Sequence, residues 1–233
     1  MSKIIGSIGL GAMGGEYAKH LLENNFKVFG IDPDKKNSSS FTLHGGILLN
    51  NINDLLEKSN VIILSLPTVP IFHNVINEIE NCSYFTDPKV IIDMNTISLE
   101  DKLDAKNKLE KLNISFVDAP VSGTGAQAKT KDLVVMSSGS EKIIDDCKDI
   151  FESFARKNIF VGEFGNGIKF KILANLLVTV HNTVTAEALL LGQKVGLDSQ
   201  KIYEVLNEGA ATSVMLDKRC LLYTSPSPRD ISR

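Results

Sequence analysis

Short apolar runs alternate with longer polar or amphipathic stretches from the N-terminus to Gly162, and the pattern changes character beyond it. Residues 3–8 alternate weakly, are rich in isoleucine and run straight into glycines. This predicts a buried first strand feeding a helix over about 13–24. Runs of Val, Ile, Leu and Phe at 27–31, 61–66, 90–94, 115–121, 133–137 and 158–161 predict further strands, most of them separated by segments of helical length. Leu99, Leu103, Leu109 and Leu112 recur among lysines and acids, the pattern of a surface helix packed on a sheet. Strand followed by helix, repeated, predicts an α/β fold with a doubly wound, mostly parallel sheet.

After Gly162, residues 168–195 form a mostly apolar stretch without strand-length punctuation and predict one long helix. Gly192 weakens it, Gly196-Leu197-Asp198 ends it, and 200–207 predicts a second helix. Apolar residues cover more than one face of the long helix, so it is expected to be buried between the first domain and a second, all-α one. The expected domains are 1–163, the sheet domain; 164–219, an incomplete helical domain; and 220–233, a tail foreign to the fold. From Cys220 the sequence resembles the translation of an adaptor used in sequencing libraries, which implies that the natural protein is longer. A native flexible tail is the other reading, since Pro226 and Pro228 rule out a continuing helix. Asn37-Ser38-Ser39-Ser40 is expected to be a small turn.

The 233 residues, 43% hydrophobic and 23% charged, suffice for one large domain or two modest ones. A net charge of −3 leaves no broad basic field, which disfavours nucleic acid and anionic membrane and favours a small-molecule partner. Cys82, Cys147 and Cys220 lack C-x-x-C spacing, so neither a zinc site nor a disulfide framework is indicated, and a reducing cytoplasm fits. His20, His44, His73 and His181 have no ligand-like spacing, and no metal is expected. No leader is visible and no stretch reads as long enough to span a bilayer, so the chain is expected to be soluble and unprocessed.

Three motifs carry the chemistry. In Gly9-Leu10-Gly11-Ala12-Met13-Gly14 the first glycine permits a tight bend, the second lets backbone approach a pyrophosphate, and the third allows close helix–sheet packing. The following helix N-terminus offers unpaired N–H groups and a favourable dipole. Asp32 ends the next strand, 18 residues after Gly14, where an acid accepts ribose hydroxyls. The pattern predicts a Rossmann-type dinucleotide-binding domain. Asp32 would repel a 2′-phosphate, and Pro33-Asp34 stands where an arginine would serve one, so NAD is expected; Lys35 and Lys36 keep NADP possible.

In Asp118-Ala119-Pro120-Val121-Ser122-Gly123, the serine hydroxyl and adjacent N–H groups at a strand's carboxyl end can hold a carboxylate, or the serine merely caps a turn. In Gly165-x-Gly167-x-x-x-Lys171-x-x-x-Asn175, a lysine early in an apolar helix is where desolvation lowers an amine's pKa toward the range of a general acid/base. Alternatively its stem packs while its amine reaches water. Asn175, at i+4, shares its face; Lys169 points elsewhere and lacks such a partner.

On these motifs the chain resembles the β-hydroxyacid dehydrogenase family, which includes 3-hydroxyisobutyrate dehydrogenase, tartronate semialdehyde reductase and glyoxylate/succinic semialdehyde reductase. The resemblance covers about residues 3–219. It implies that Lys171 is the acid/base, that Ser122 and Gly123 anchor a small carboxylate-bearing substrate, and that Asn175 supports the reacting hydroxyl. It also implies that Thr96 touches the nicotinamide side of the cofactor, that Leu66 and Pro67 line its site, and that the full-length protein is a homo-oligomer. Thr124, Gln127 and Lys131-Asp132 depart from the family's glycines and Gly-Thr, Asn95 replaces a usual serine, and Ala174 the first of two asparagines. Ala174 also stands where 6-phosphogluconate dehydrogenases carry histidine, and imine-reducing relatives usually lack the lysine. The alternatives left open are a non-catalytic dinucleotide-binding relative and a reductase of another small carbonyl or imine. If the helical domain is incomplete, the chain should bind cofactor better than it turns over, and an exposed apolar helix face would invite aggregation.

Overall fold

The computed structural model describes residues 3–82 and 89–217. Cys220 and the rest of the proposed tail, with residues 218–219 of the proposed helical domain, lie outside the described residues. Two compact units divide after Lys171.

In the first unit β1 (Ile4–Ile8), α1 (Gly14–Glu23), β2 (Lys27–Ile31), α2 (Lys35–Leu43), β3 (Ile47–Leu48), α3 (Ile52–Lys58), β4 (Val61–Leu64), α4 (Val69–Glu80), β5 (Lys89–Asp93), α5 (Leu99–Glu110) and β6 (Ile114–Asp118) build the main layer. All six strands are parallel, in the order β3-β2-β1-β4-β5-β6. Both faces of the sheet are covered, which explains why β4 is apolar and buried at every position. Ile63 and Ile92 face a layer containing Tyr17, Leu21, Phe151 and Phe154, whereas Ile62, Leu64 and Ile91 face one containing Leu55, Phe72, Ile76 and Leu109.

The sequence rhythm predicts one sheet and one strand over 115–121; the structure divides both. β6 ends at Asp118, and after Ala119-Pro120 the chain enters a second, three-stranded sheet through β7 (Val121–Ser122). Pro120 has no N–H for a ladder, and only its carbonyl is used, accepting from Met136 N at 3.0 Å. Then follow α6 (Gly125–Lys129), β8 (Val134–Ser137), α7 (Glu141–Asp146), α8 (Lys148–Phe154) and β9 (Lys157–Phe160). β8 pairs antiparallel with β7 and parallel with β9.

Two further expectations are corrected. Asn37–Ser40 is helical, inside α2, because Asp34 caps that helix by accepting from Lys36 N and Asn37 N. Leu103 is 42% exposed, because the inward position of α5 is taken by Lys102, drawn in by two carboxylates described below.

α9 (Asn166–Lys194) begins in the first unit and continues into the second, which also contains α10 (Ser199–Glu208). α9 stops as its sequence indicates: Gly196 takes φ +85°, its N–H reaches Gln193 O, and Leu197 N–H reaches Gly192 O. Gly192 lies against Ile202 of α10, where a Cβ would come within 2.4 Å of Ile202 Cδ1. The expected burial of α9 is not found: Leu173, Leu176, Leu177 and Leu191 are exposed, because among the described residues no layer covers that face. α9 also corrects the expectation that no segment reaches spanning length. Its 29 residues are long and apolar enough to cross a membrane, by length and composition only.

Candidate active site

The glycine turn between β1 and α1 is shaped as its spacing requires. Gly9 holds φ +91°, and a Cβ there would lie 2.1 Å from Ser65 O; one on Gly14 would lie 2.1 Å from Gly9 O. A Cβ on Gly11 would meet nothing within 4 Å, so that peptide is open on its outer side. Met13 at the α1 N-cap supplies no side-chain acceptor, so the first turn has no side-chain cap, although Gly15 N already donates to Gly11 O at 2.8 Å. Asp32 braces the turn: its carboxylate accepts from Leu10 N at 2.7 Å, Asp34 N at 2.8 Å and Asn37 Nδ2 at 3.3 Å.

A cleft of about 560 Å³ brings together Gly9, Gly11, Ala12, Met13, Asp32, Leu66 and Pro67. Leu10 is buried and offers only its backbone, Gly14 packs behind the turn, and Thr96 is exposed on the loop after β5, outside that lining. The open Gly11 peptide, the uncapped helix and the cleft suit a dinucleotide pyrophosphate.

Ser122 is half-buried at the end of β7, paired with Val134. Gly123 takes φ +140°, where a Cβ would meet Leu133 Cδ2 at 2.4 Å. A Cβ on Gly125, at the start of α6, would come to 3.7 Å from Ala12 O, so this turn stands beside the glycine turn. The departures from the family pattern bind one another: Gln127 accepts from Thr124 N at 3.2 Å and donates to Asp132 Oδ2 at 2.9 Å, while Arg156 Nε donates to Asp132 Oδ1 at 3.1 Å. Lys131 keeps a glycine-like φ of +59°.

Lys171 is half-buried in the second turn of α9, and desolvation lowers its pKa. Lys169 is exposed and donates to Asn166 Oδ1 at 3.2 Å, so it has a polar partner after all, on the i−3 side. Asn175 lies four residues beyond Lys171 in α9 and is exposed.

Sequence reasoning missed a buried charge cluster. Lys102 Nζ donates to Asp93 Oδ2 and pairs with Asp118 Oδ1 at 2.9 Å, all three side chains fully buried. Burial would lower the Lys102 pKa, but the carboxylates of Asp93 and Asp118 hold it above its usual value. Burial raises that of Asp93 even against the pull of Lys102. Lys102 falls at helical spacing on the face of Leu99, Ala105 and Leu109, the one signal that could have revealed it.

A parallel sheet in this strand order, with a glycine turn at its centre and an acid directly after β2, defines an NAD(P)-binding oxidoreductase domain. Residues 4–162 match the family described as the NAD binding domain of 6-phosphogluconate dehydrogenase, and residues 165–226 that described as NAD-binding of NADP-dependent 3-hydroxyisobutyrate dehydrogenase. The chain is 30% identical to 2-(hydroxymethyl)glutarate dehydrogenase of Eubacterium barkeri, over 92% of this chain and 72% of that one. It is 26% identical to glyoxylate/succinic semialdehyde reductase 1 of Arabidopsis thaliana, over 91% and 73%. A solved structure of Mycobacterium tuberculosis 3-hydroxyisobutyrate dehydrogenase with L-serine superposes with a TM-score of 0.88 at 27% identity, covering 98% of this chain and 77% of that one. The chain belongs to the β-hydroxyacid dehydrogenase family, and it is an NAD(P)-dependent oxidoreductase.

Proposed function

We propose that this protein transfers hydride between NAD(P) and a small 3-hydroxy acid or the corresponding semialdehyde, with Lys171 as general acid/base. The reading rests chiefly on a half-buried amine of lowered pKa on the helix whose first turn is hydrogen-bonded to Asp118, four residues before Ser122. The Ser122 hydroxyl and neighbouring N–H groups hold the substrate carboxylate, and Asn175 orients the reacting hydroxyl. Neutral Lys171 takes the hydroxyl proton on oxidation, and its ammonium returns one on reduction. When bound, the nicotinamide supplies the hydride chemistry. Gly9, Gly11, Ala12 and Met13 would hold the pyrophosphate and Asp32 a ribose, with Leu66, Pro67 and Thr96 toward the nicotinamide. Asp32 favours NAD over NADP by charge. We further propose a cytoplasmic location and self-association of the full-length protein.

The test is a panel of short hydroxy acids with NAD and of semialdehydes with NADH, each repeated with the phosphorylated cofactor. Turnover of at least one pair, lost in Lys171→Ala while NADH still binds, is expected. NADH binding with no turnover of any pair would favour the non-catalytic alternative, and reduction of imines alone would move the substrate class.

A further inference from the structure

We propose that Lys102 is a positioning residue of the active site: its buried ammonium ties the loop after β5 to the first turn of α9 and so fixes where Lys171 stands. The inference rests on the acid/base reading of Lys171. A continuous chain of hydrogen bonds and ion pairs carries it. Leu66 N donates to Asn95 Oδ1 at 2.6 Å, and Asn95 Nδ2 donates to Asp93 Oδ1 at 2.6 Å. The other Asp93 oxygen takes Lys102, which also pairs with Asp118 Oδ1. The second Asp118 oxygen accepts from Ile168 N at 2.9 Å and Ser138 Oγ at 3.1 Å, and Ser138 Oγ accepts in turn from Gly167 N at 3.0 Å. The chain therefore runs from one wall of the cofactor cleft to two first-turn N–H groups of α9.

Close packing makes this join stiff. A Cβ on Gly167 would meet Met136 O at 2.5 Å and Asp118 Oδ2 at 2.8 Å, and Gly165 sits on Leu99 of the same helix as Lys102. Most helices leave their first N–H groups to solvent or to an exposed cap; here Ile168 N ends on the fully buried Asp118 carboxylate and Gly167 N on the buried Ser138 hydroxyl. Stability alone does not account for such a cluster, because well-packed apolar residues in its place are often as stable or more so. Geometry does: a general base displaced by about 1 Å loses on the order of a hundredfold in rate.

Turnover of succinic semialdehyde with NADH, NADH titration and amide hydrogen exchange of the first turn of α9 test the proposal on the whole chain. Ser138→Ala and Asn95→Ala leave all three charges in place and are expected to fold, with kcat reduced about tenfold or more; in Ser138→Ala, remote from the cofactor cleft, KM and NADH affinity stay within about twofold of wild type. Ser138→Ala should also speed exchange at Gly167 and Ile168, and Asn95→Ser, whose hydroxyl replaces the carboxamide and can both accept from Leu66 N and donate to Asp93, should restore kcat relative to Asn95→Ala. Lys102→Met should lose more turnover than either, and if it fails to fold the other variants still decide. Wild-type kcat in Ser138→Ala and Asn95→Ala, or a loss in Asn95→Ala that Asn95→Ser does not recover, would overturn the role of Lys102. Wild-type turnover in Lys171→Ala would instead remove the acid/base reading beneath it.

Discussion

Replacing Gly11 by alanine adds one methyl on a side of the glycine turn where nothing lies within 4 Å, at a backbone conformation open to any residue. In the free protein the change removes only unfolded-chain entropy, which stabilises by about 0.4–1 kcal/mol and raises the melting temperature by roughly 1–4 °C. In the complex the same methyl stands where the pyrophosphate must approach the backbone. Losing one hydrogen bond to a charged oxygen costs about 1.5–3 kcal/mol, and each 1.4 kcal/mol is about a factor of ten. NADH affinity should therefore fall by roughly ten- to a hundredfold while stability rises. Gly14→Ala reverses the sign on stability: its methyl would lie 2.1 Å from Gly9 O, so overpacking of about 1–3 kcal/mol outweighs a helix-propensity gain of about 1 kcal/mol. Fluorescence titration with NADH and thermal melts on both variants are the assays. Wild-type NADH affinity in Gly11→Ala would refute the placement of the pyrophosphate over that peptide.

Lys171→Met should lower kcat by about 10² to 10⁴ and at the same time stabilise the fold at neutral pH. Burial depresses the amine's pKa, so the unfolded chain binds more protons between the folded value and about 10.4. The cost of the charge is thus fully present below that window and disappears as pH rises through it; equal stability of wild type and variant at pH 7 in urea would contradict this. Burial pushes the Cys147 thiol up to about 11, so iodoacetamide at pH 8 should label half-buried Cys82 ahead of Cys147 and reach Cys147 only on unfolding, as peptide mapping would reveal. Phe154→Ala should cost about 3–5 kcal/mol, since its fully buried ring lies 4.7 Å from that of Tyr17, and an unchanged urea midpoint would count against this core.

Much of the fold was legible because β1, β2, β4 and β5 are short segments rich in Ile, Val, Leu and Phe bounded by turn residues, as parallel strands buried on both faces tend to be. The glycine turn was equally legible, since Gly9 and Gly14 are required by backbone contacts that no other residue allows. What escaped depended on partners distant in sequence. Lys102 sits on an apolar helix face and reads as an interruption until Asp93 and Asp118 are placed beside it. Asn37–Ser40 reads as a turn by composition, and only the Asp34 cap makes it helix. Asn95, a departure from the family by sequence, proves to latch Leu66 N, a role that no local pattern encodes.

The two-sheet arrangement explains how the first turn of α9 comes to lie against Asp118, fifty residues earlier in the chain. Beyond Pro120 the chain cannot return along β6, so β7 turns it antiparallel to β8, and Asp118 and Ser138 exchange N–H···O bonds of 3.1 and 2.8 Å where the sheets meet. β9 then runs parallel to β8 and ends level with it: Val161 N donates to Ser137 O at 2.8 Å, and Gly139 N to Gly162 O at 2.9 Å. Only three residues separate Gly162 from the start of α9, too few for that helix to begin anywhere but beside Asp118. The second sheet is therefore a return path whose length is set by its ladders, and the helix carrying Lys171 starts on the carboxylate that precedes the Ser122 turn because both are hydrogen-bonded to the same residue, Ser138.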